Sequence, residues 1–177
     1  MRRRKKLLII ECIPKCERLD ESVVLSNFLK MTQPEKVRTR RIAGKTQFLS
    51  YLKRKADMNE FGYIHLSGHG DPDNNRFELA SGYVSPEEFP ELCFDGKVVT
   101  FSACGMSRSG FVDPFMDWTG AKHVIAPARD VIFVDAAVWY INFYYLVLHH
   151  RFTPGKAYDR TDEILRGKAK GGFQYWT

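Results

Sequence analysis

The 177-residue chain has four cysteines, Cys12, Cys16, Cys93 and Cys104, and none of them falls into the paired spacing of a secreted framework. No disulfide is expected, and a reducing cytoplasm is the compartment this usage favours. Internal repeats, low-complexity tracts and Pro/Gly/Ser-rich linkers are also missing, which leaves one domain over residues 1–177. No apolar run reads as a membrane span. Val131 to Leu148 has about the length that crosses a bilayer but carries Asp135 and Asn142, so a buried helix is expected there. Leu7 to Ile10 is too short for a signal-peptide core and runs into Glu11.

Several motifs fail for want of one residue. Gly44-Lys45-Thr46 opens a helix after a strand, but a phosphate-binding loop needs glycine where this chain has Thr39. Gly105-Met-Ser-Arg-Ser109 lacks the final glycine of a serine-hydrolase elbow. Cys12 and Cys16 have no second pair at metal spacing, and His65 and His69 lie on a strand and its turn, where an i, i+4 spacing does not align two ligands. Neither zinc nor any other cofactor is expected.

What the chain does have is a 44% hydrophobic composition, enough to bury a core without a staple, and a net charge of +6. The charge is unevenly spread. Residues 1–6 form a basic N-terminal tail of +5, residues 36–55 carry +8, and residues 56–104 carry −7. The basic segments raise a nucleic-acid-binding reading, but nothing among them resembles a recognition motif.

Periodicity predicts strands at Leu7–Ile13, Lys36–Ile42, Tyr63–Leu66, Lys97–Phe101 and Lys122–Ala126. Between them it predicts helices at Glu21–Met31, with Val23, Val24, Leu25, Phe28 and Leu29 on one face and Asp20 or Ser22 as cap, and at Lys45–Lys55, with Phe48, Leu49 and Leu52 inward. Further helices are expected at Phe133–His149, an aromatic helix whose rings are core, and at Gly155–Leu165, ending near Gly167. Residues 71–90 read as a loop containing a hairpin, and residues 168–177 show no period. Uninterrupted apolar strands alternating with helices define an α/β class, a three-layer sandwich around a mostly parallel sheet.

In such sheets the reacting groups gather beyond the carboxyl ends of the strands. Two strands end in reactive residues, His69 in Ser67-Gly68-His69-Gly70 and Cys104 in Ser102-Ala103-Cys104-Gly105. An imidazole near a thiol can take its proton and later protonate a leaving amine. Gly70 would permit a tight turn, so that its N–H and that of Cys104 point at a developing oxyanion.

At these residues the sequence resembles the caspase-like cysteine peptidases of clan CD, and within them the CHAT group. Tyr63-Ile-His-Leu-Ser-Gly-His-Gly70 resembles the family's histidine segment, and Val98-Val-Thr-Phe-Ser-Ala-Cys-Gly105 its cysteine segment. Phe77 to Pro86 resembles the intervening hairpin, and Val124 to Asp130, with Asp135-Ala-Ala137 and the aromatic helix, the strand, acidic loop and helix that follow. The resemblance implies a caspase-like fold and a cysteine endopeptidase with His69 as general acid/base and Cys104 as nucleophile. It also implies an oxyanion hole from the backbone of Gly70 and Cys104, a protein or peptide substrate, and a setting in prokaryotic defence or regulated proteolysis beside a regulatory partner protein. Ser102 stands where caspases carry Gln, and the His-to-Cys separation is 35 residues, so caspase-type aspartate specificity is not expected. Asp130 and Asp135 are candidates to line a pocket for a basic residue, whereas Arg129 or Arg108 would favour an acidic one. The alternatives to a peptidase are an inactive caspase-like interaction module and the nucleic-acid-binding domain.

Overall fold

The computed structural model describes residues 6–14, 17, 20–165 and 172–177. Most of the basic tail, Cys16 and the helix end expected near Gly167 therefore lie outside the described residues. Six strands form the central sheet: β1 (Leu7–Glu11), β2 (Val37–Arg41), β3 (Tyr63–Ser67), β7 (Val98–Ser102), β8 (His123–Pro127) and β9 (Phe173–Trp176). Their spatial order is β2-β1-β3-β7-β8-β9, with every neighbouring pair parallel except β8 with β9. A smaller antiparallel sheet joins β4 (His69–Asp71), β5 (Arg76–Glu78) and β6 (Tyr83–Val84) in the expected hairpin region.

Alternate side chains of the buried strands enter two cores, which is why these strands read as unbroken apolar runs. Leu8, Ile10, Ile64, Leu66, Val99, Phe101, Val124 and Ala126 face one core, shared with α2 (Lys45–Leu52), α3 (Lys55–Met58), α4 (Ser109–Thr119) and the small sheet. Phe101 sits at its centre, with ring centroids of Phe77, Phe111 and Phe115 at 5.5, 5.3 and 5.1 Å. Leu7, Ile9, Tyr63, Val98 and Ile125 face the other core, against α1 (Glu21–Lys30), α5 (Phe133–Leu148) and α6 (Pro154–Leu165). There Trp139 of α5 stacks on Phe173 of β9 at 4.4 Å. The result is a three-layer α/β sandwich. Among the described residues no helix is long and apolar enough to cross a membrane.

Some sequence expectations are corrected. The helix α1 buries Glu21, Ser22, Leu25, Ser26 and Leu29, while Val23, Val24 and Phe28 lie on its outer side at 47, 51 and 42% exposure. The inward stripe is partly polar because Glu21 meets hydroxyl groups at the strand ends, so apolar spacing placed Leu25 and Leu29 correctly but drew Val23, Val24 and Phe28 onto the wrong side. Asp20 is the N-cap residue, its carbonyl accepting the N–H groups of Val23 and Val24, but its side chain makes no cap hydrogen bond. Asp20 instead pairs with Arg41, and the N–H of Ser22 donates to the carboxylate of Glu11 at 2.9 Å. A side-chain cap of this kind contributes about 1 kcal/mol. The predicted second helix ends at Leu52, with Tyr51 buried beside Phe48, and is followed by the short α3. Both α4 and β9 lie in stretches for which no element was predicted.

At one edge of the sheet, β2 pairs among the described residues only with β1 and leaves Arg38, Arg40 and Arg41 exposed. Arg38 lies 3.3 Å from Glu60 and over the ring of Phe61.

The capping carboxylate of Glu11 is buried, and one of its oxygens has no partner. Desolvation raises its pKa above the ordinary value of 4.5, against the opposing pull of the Ser22 N–H. An acid whose folded-state pKa is raised stabilises the fold below its unfolded value and loses that contribution as pH rises through the folded one. Comparing wild type with Glu11→Gln by urea unfolding, the stability difference is expected to move in favour of the variant between pH 4 and pH 8. A pH-independent difference would contradict this assignment.

Candidate functional site

The parallel register of β3 and β7 places Ser67 opposite Ser102, the last residue of each strand. His69 and Cys104 each follow two residues later, so two side chains 35 positions apart leave neighbouring strands at equivalent steps. The loops that carry them touch. The N–H of Gly68 donates to the carbonyl of Ser102 at 3.1 Å, and a Cβ built on Gly70 would overlap the carbonyl oxygen of Cys104. Gly70 lies in β4, paired with Phe77, and not in a positive-φ turn. The structure thus replaces the expected tight turn with close backbone approach as the reason for glycine. The positive φ falls at Gly105 instead, at +63°, where a Cβ would stand 2.9 Å from Cβ of Pro72.

A third segment closes over both side chains. The N–H of Val131 donates to Sγ of Cys104 at 3.4 Å, and the thiol in turn faces the carbonyl of Val131 at 3.7 Å. Two residues on, the ring of Phe133 meets His69 edge-on at 6.0 Å. The imidazole is held from the other side, with Nε2 2.8 Å from the carboxylate of Glu17 in the segment after β1. His69 and Glu17 are each 34% exposed in their side chains, so this pair is reachable by solvent. Cys104 hydrogen-bonds to Val131, and the polar contact of His69 is with Glu17; the two reactive side chains are not bonded to each other.

Of the described cysteines, Cys12 and Cys93 are buried and Cys104 is partly exposed. Burial pushes the Cys12 thiol well above its usual pKa and that of Cys93 up to about 12. Asp130 is exposed in the loop after β8, immediately before Val131, and Asp135 is half-buried in the first turn of α5. The same loop reaches Cys104 through Arg129, whose carbonyl accepts the N–H of Gly105 at 3.2 Å. Arg108 is exposed and turned toward the carbonyl of Pro72 and the carboxylate of Asp73, at 3.3 and 3.5 Å.

Beneath the pair lies a buried polar cluster that sequence reasoning missed. Glu21 accepts hydrogen bonds from Ser67 Oγ at 2.5 Å and Ser102 Oγ at 2.8 Å. His65 Nε2 lies 3.7 Å from the same carboxylate, and its Nδ1 is 2.8 Å from Thr100 Oγ1. Thr100 in turn meets Tyr144 Oη at 2.6 Å. The signal for Glu17 and Glu21 would have been the sheet order, because β1 lies beside β3 and its following segment emerges at the same edge.

No known protein-family model matches the chain, and no curated protein matches it.

In the native protein, iodoacetamide is expected to modify Cys104 and to spare Cys12 and Cys93, as read by peptide mass spectrometry. Equal modification of all three would contradict the burial described. Gly70→Ala is expected to cost several kcal/mol, on the order of a severe backbone clash, and a thermal midpoint equal to wild type would contradict the close approach.

Proposed function

We propose that the protein is a cysteine-type peptide hydrolase in which Cys104 is the nucleophile and His69 the general acid/base. The observation that supports this reading is the equivalent placement of the two residues beyond Ser67 and Ser102, at the carboxyl edge where open parallel sheets assemble their sites. Glu17 supplies the third group of the nucleophile–base–orienter pattern, fixing the imidazole through Nε2. The resemblance of both segments to CHAT and caspase-like peptidases agrees with these roles.

In the proposed reaction His69 accepts the thiol proton and Cys104 Sγ attacks the peptide carbonyl carbon. The resulting oxyanion is met by the backbone N–H groups of Gly70 and Cys104. Collapse breaks the C–N bond, the amine departs with the proton from His69, and a thioester remains on Cys104. Water, deprotonated by His69, then attacks the thioester and releases the acid and the thiol. Val131 must yield its hold on Sγ as substrate enters, since its N–H occupies a lone pair of the sulfur. Asp130, exposed next to Val131, would favour a basic side chain beside the cleaved bond.

A second reading, a caspase-like module that binds a partner without cleaving it, draws on the bonding of the Cys104 thiol to Val131 rather than to His69. A pooled peptide library separates the two. Wild type is expected to cleave it, with Cys104→Ala and His69→Ala each reducing turnover by at least about 10³-fold, and a peptidyl acyloxymethyl ketone to label Cys104 only when His69 is intact. Identical inertness of all three proteins, with labelling indifferent to His69, would favour the binding module.

A further inference from the structure

We propose that Glu21 is a positioning residue that sets the spacing of His69 and Cys104 by clamping the ends of β3 and β7; this rests on the hydrolase reading above. One carboxylate, fully buried, accepts a hydroxyl from each member of the register pair, Ser67 through Oε2 and Ser102 through Oε1. Each serine is two residues from the reactive side chain it precedes. Displacing Glu21 would free both serine hydroxyls together while the backbone pairing of the strands remains, because among the described residues no other side chain is seen to bond both of them.

Energetics argue that this group is not there for stability. A carboxylate taken out of water costs several kcal/mol, and well-packed apolar residues of similar volume commonly do as well or better. Leu25 and Leu29, one and two turns along the same inward stripe, show that the layer accepts apolar side chains. What an apolar side chain cannot do is fix two hydroxyl groups at a set separation.

The surroundings hold the clamp rigid. Glu11 binds the N–H of Ser22, so the first turn of α1 cannot withdraw. His65 backs the carboxylate and is itself held by Thr100 and Tyr144. Tyr140 Oη donates to the carbonyl of Phe101 at 2.6 Å, tying α5 to β7 one residue before Ser102. Since α5 also carries Phe133 against His69, both elements that flank the pair are fixed to the same strand ends. Among the described residues, Glu11, His65, Tyr140 and Tyr144 are ionisable groups that interact with Glu21, and none of these four belongs to the reacting pair.

The test uses the full chain and five variants: Ser67→Ala, Ser102→Ala, Ser102→Thr, Glu21→Gln and, as the reference for a lost imidazole, His69→Ala. The rate of Cys104 alkylation by iodoacetamide is followed across pH 5 to 9, alongside turnover of a cleaved library peptide, with thermal midpoints as the control for folding. Losing either hydroxyl is expected to lower turnover on the order of tenfold, short of the roughly hundredfold cost of a 1 Å displacement at a reacting centre. KM is expected to change by less than about twofold, and the alkylation profile to move toward that of His69→Ala. Ser102→Thr keeps the hydroxyl and is expected to restore both readouts. If Glu21→Gln does not fold, the serine variants carry the decision. A His69-dependent alkylation profile that both serine-to-alanine variants leave unchanged overturns the positioning role alone, as does failure of Ser102→Thr to restore what Ser102→Ala loses. A wild-type profile indifferent to His69→Ala overturns the hydrolase reading and the positioning role with it.

Discussion

The parallel pairing of β3 with β7 is the constraint on which the candidate site depends. Hydrogen bonds along Tyr63–Ser67 and Val98–Ser102 fix the two strands in register, and the side chains two steps beyond their ends inherit that register. Close backbone approach at Gly70 then leaves the loops little room to slide past one another. The remaining elements act on this pair from outside. The segment after β1 brings Glu17, α1 brings Glu21, and the strand-to-helix connection after β8 brings Val131 and Phe133.

A polar layer at the carboxyl edge and two apolar layers beneath it divide the work of the fold. Rings around Phe101 on one face and around Trp139 on the other supply nonpolar burial, at about 1.5–3 kcal/mol for each large side chain. The buried groups at the strand ends, Glu11, Glu21, Ser67 and Ser102, supply little net stability, and Glu11 carries a desolvation penalty visible in its raised pKa. What they provide is geometry.

Much of this was legible in the sequence. Strands β1, β3, β7 and β8 are buried on both faces and stand out as continuous apolar runs, and α5 announces itself by 16 residues with a high aromatic content. The helix α4 was not legible, because Pro114 and Gly110 interrupt an 11-residue stretch whose buried positions Phe111, Val112 and Phe115 are too few to show a period. The four residues of β9 are likewise too short, and only contact with β8 makes them a strand. The inward face of α1 was read only in part, through Leu25 and Leu29, for a physical reason: it also buries a glutamate and two serines, and the partners of Glu21, Ser67 and Ser102, lie 46 and 81 positions away along the chain. His69 and Cys104 could be named from their places after strands, whereas Glu17 and Glu21 required knowledge of which strand neighbours which.

The arginines of β2 have a consequence for how the molecule behaves toward other copies of itself. An edge strand offers a row of unpaired amide and carbonyl groups to any extended peptide, and long charged side chains are a common defence against such templating. With Arg38, Arg40 and Arg41 along five residues, a second β2 edge approaching in either direction would bring like charges face to face. Glu60 and Asp20 offset part of the charge on Arg38 and Arg41, and the long side chains still crowd this edge against a pairing strand, which gives part of the chain's positive surplus a use that needs no ligand.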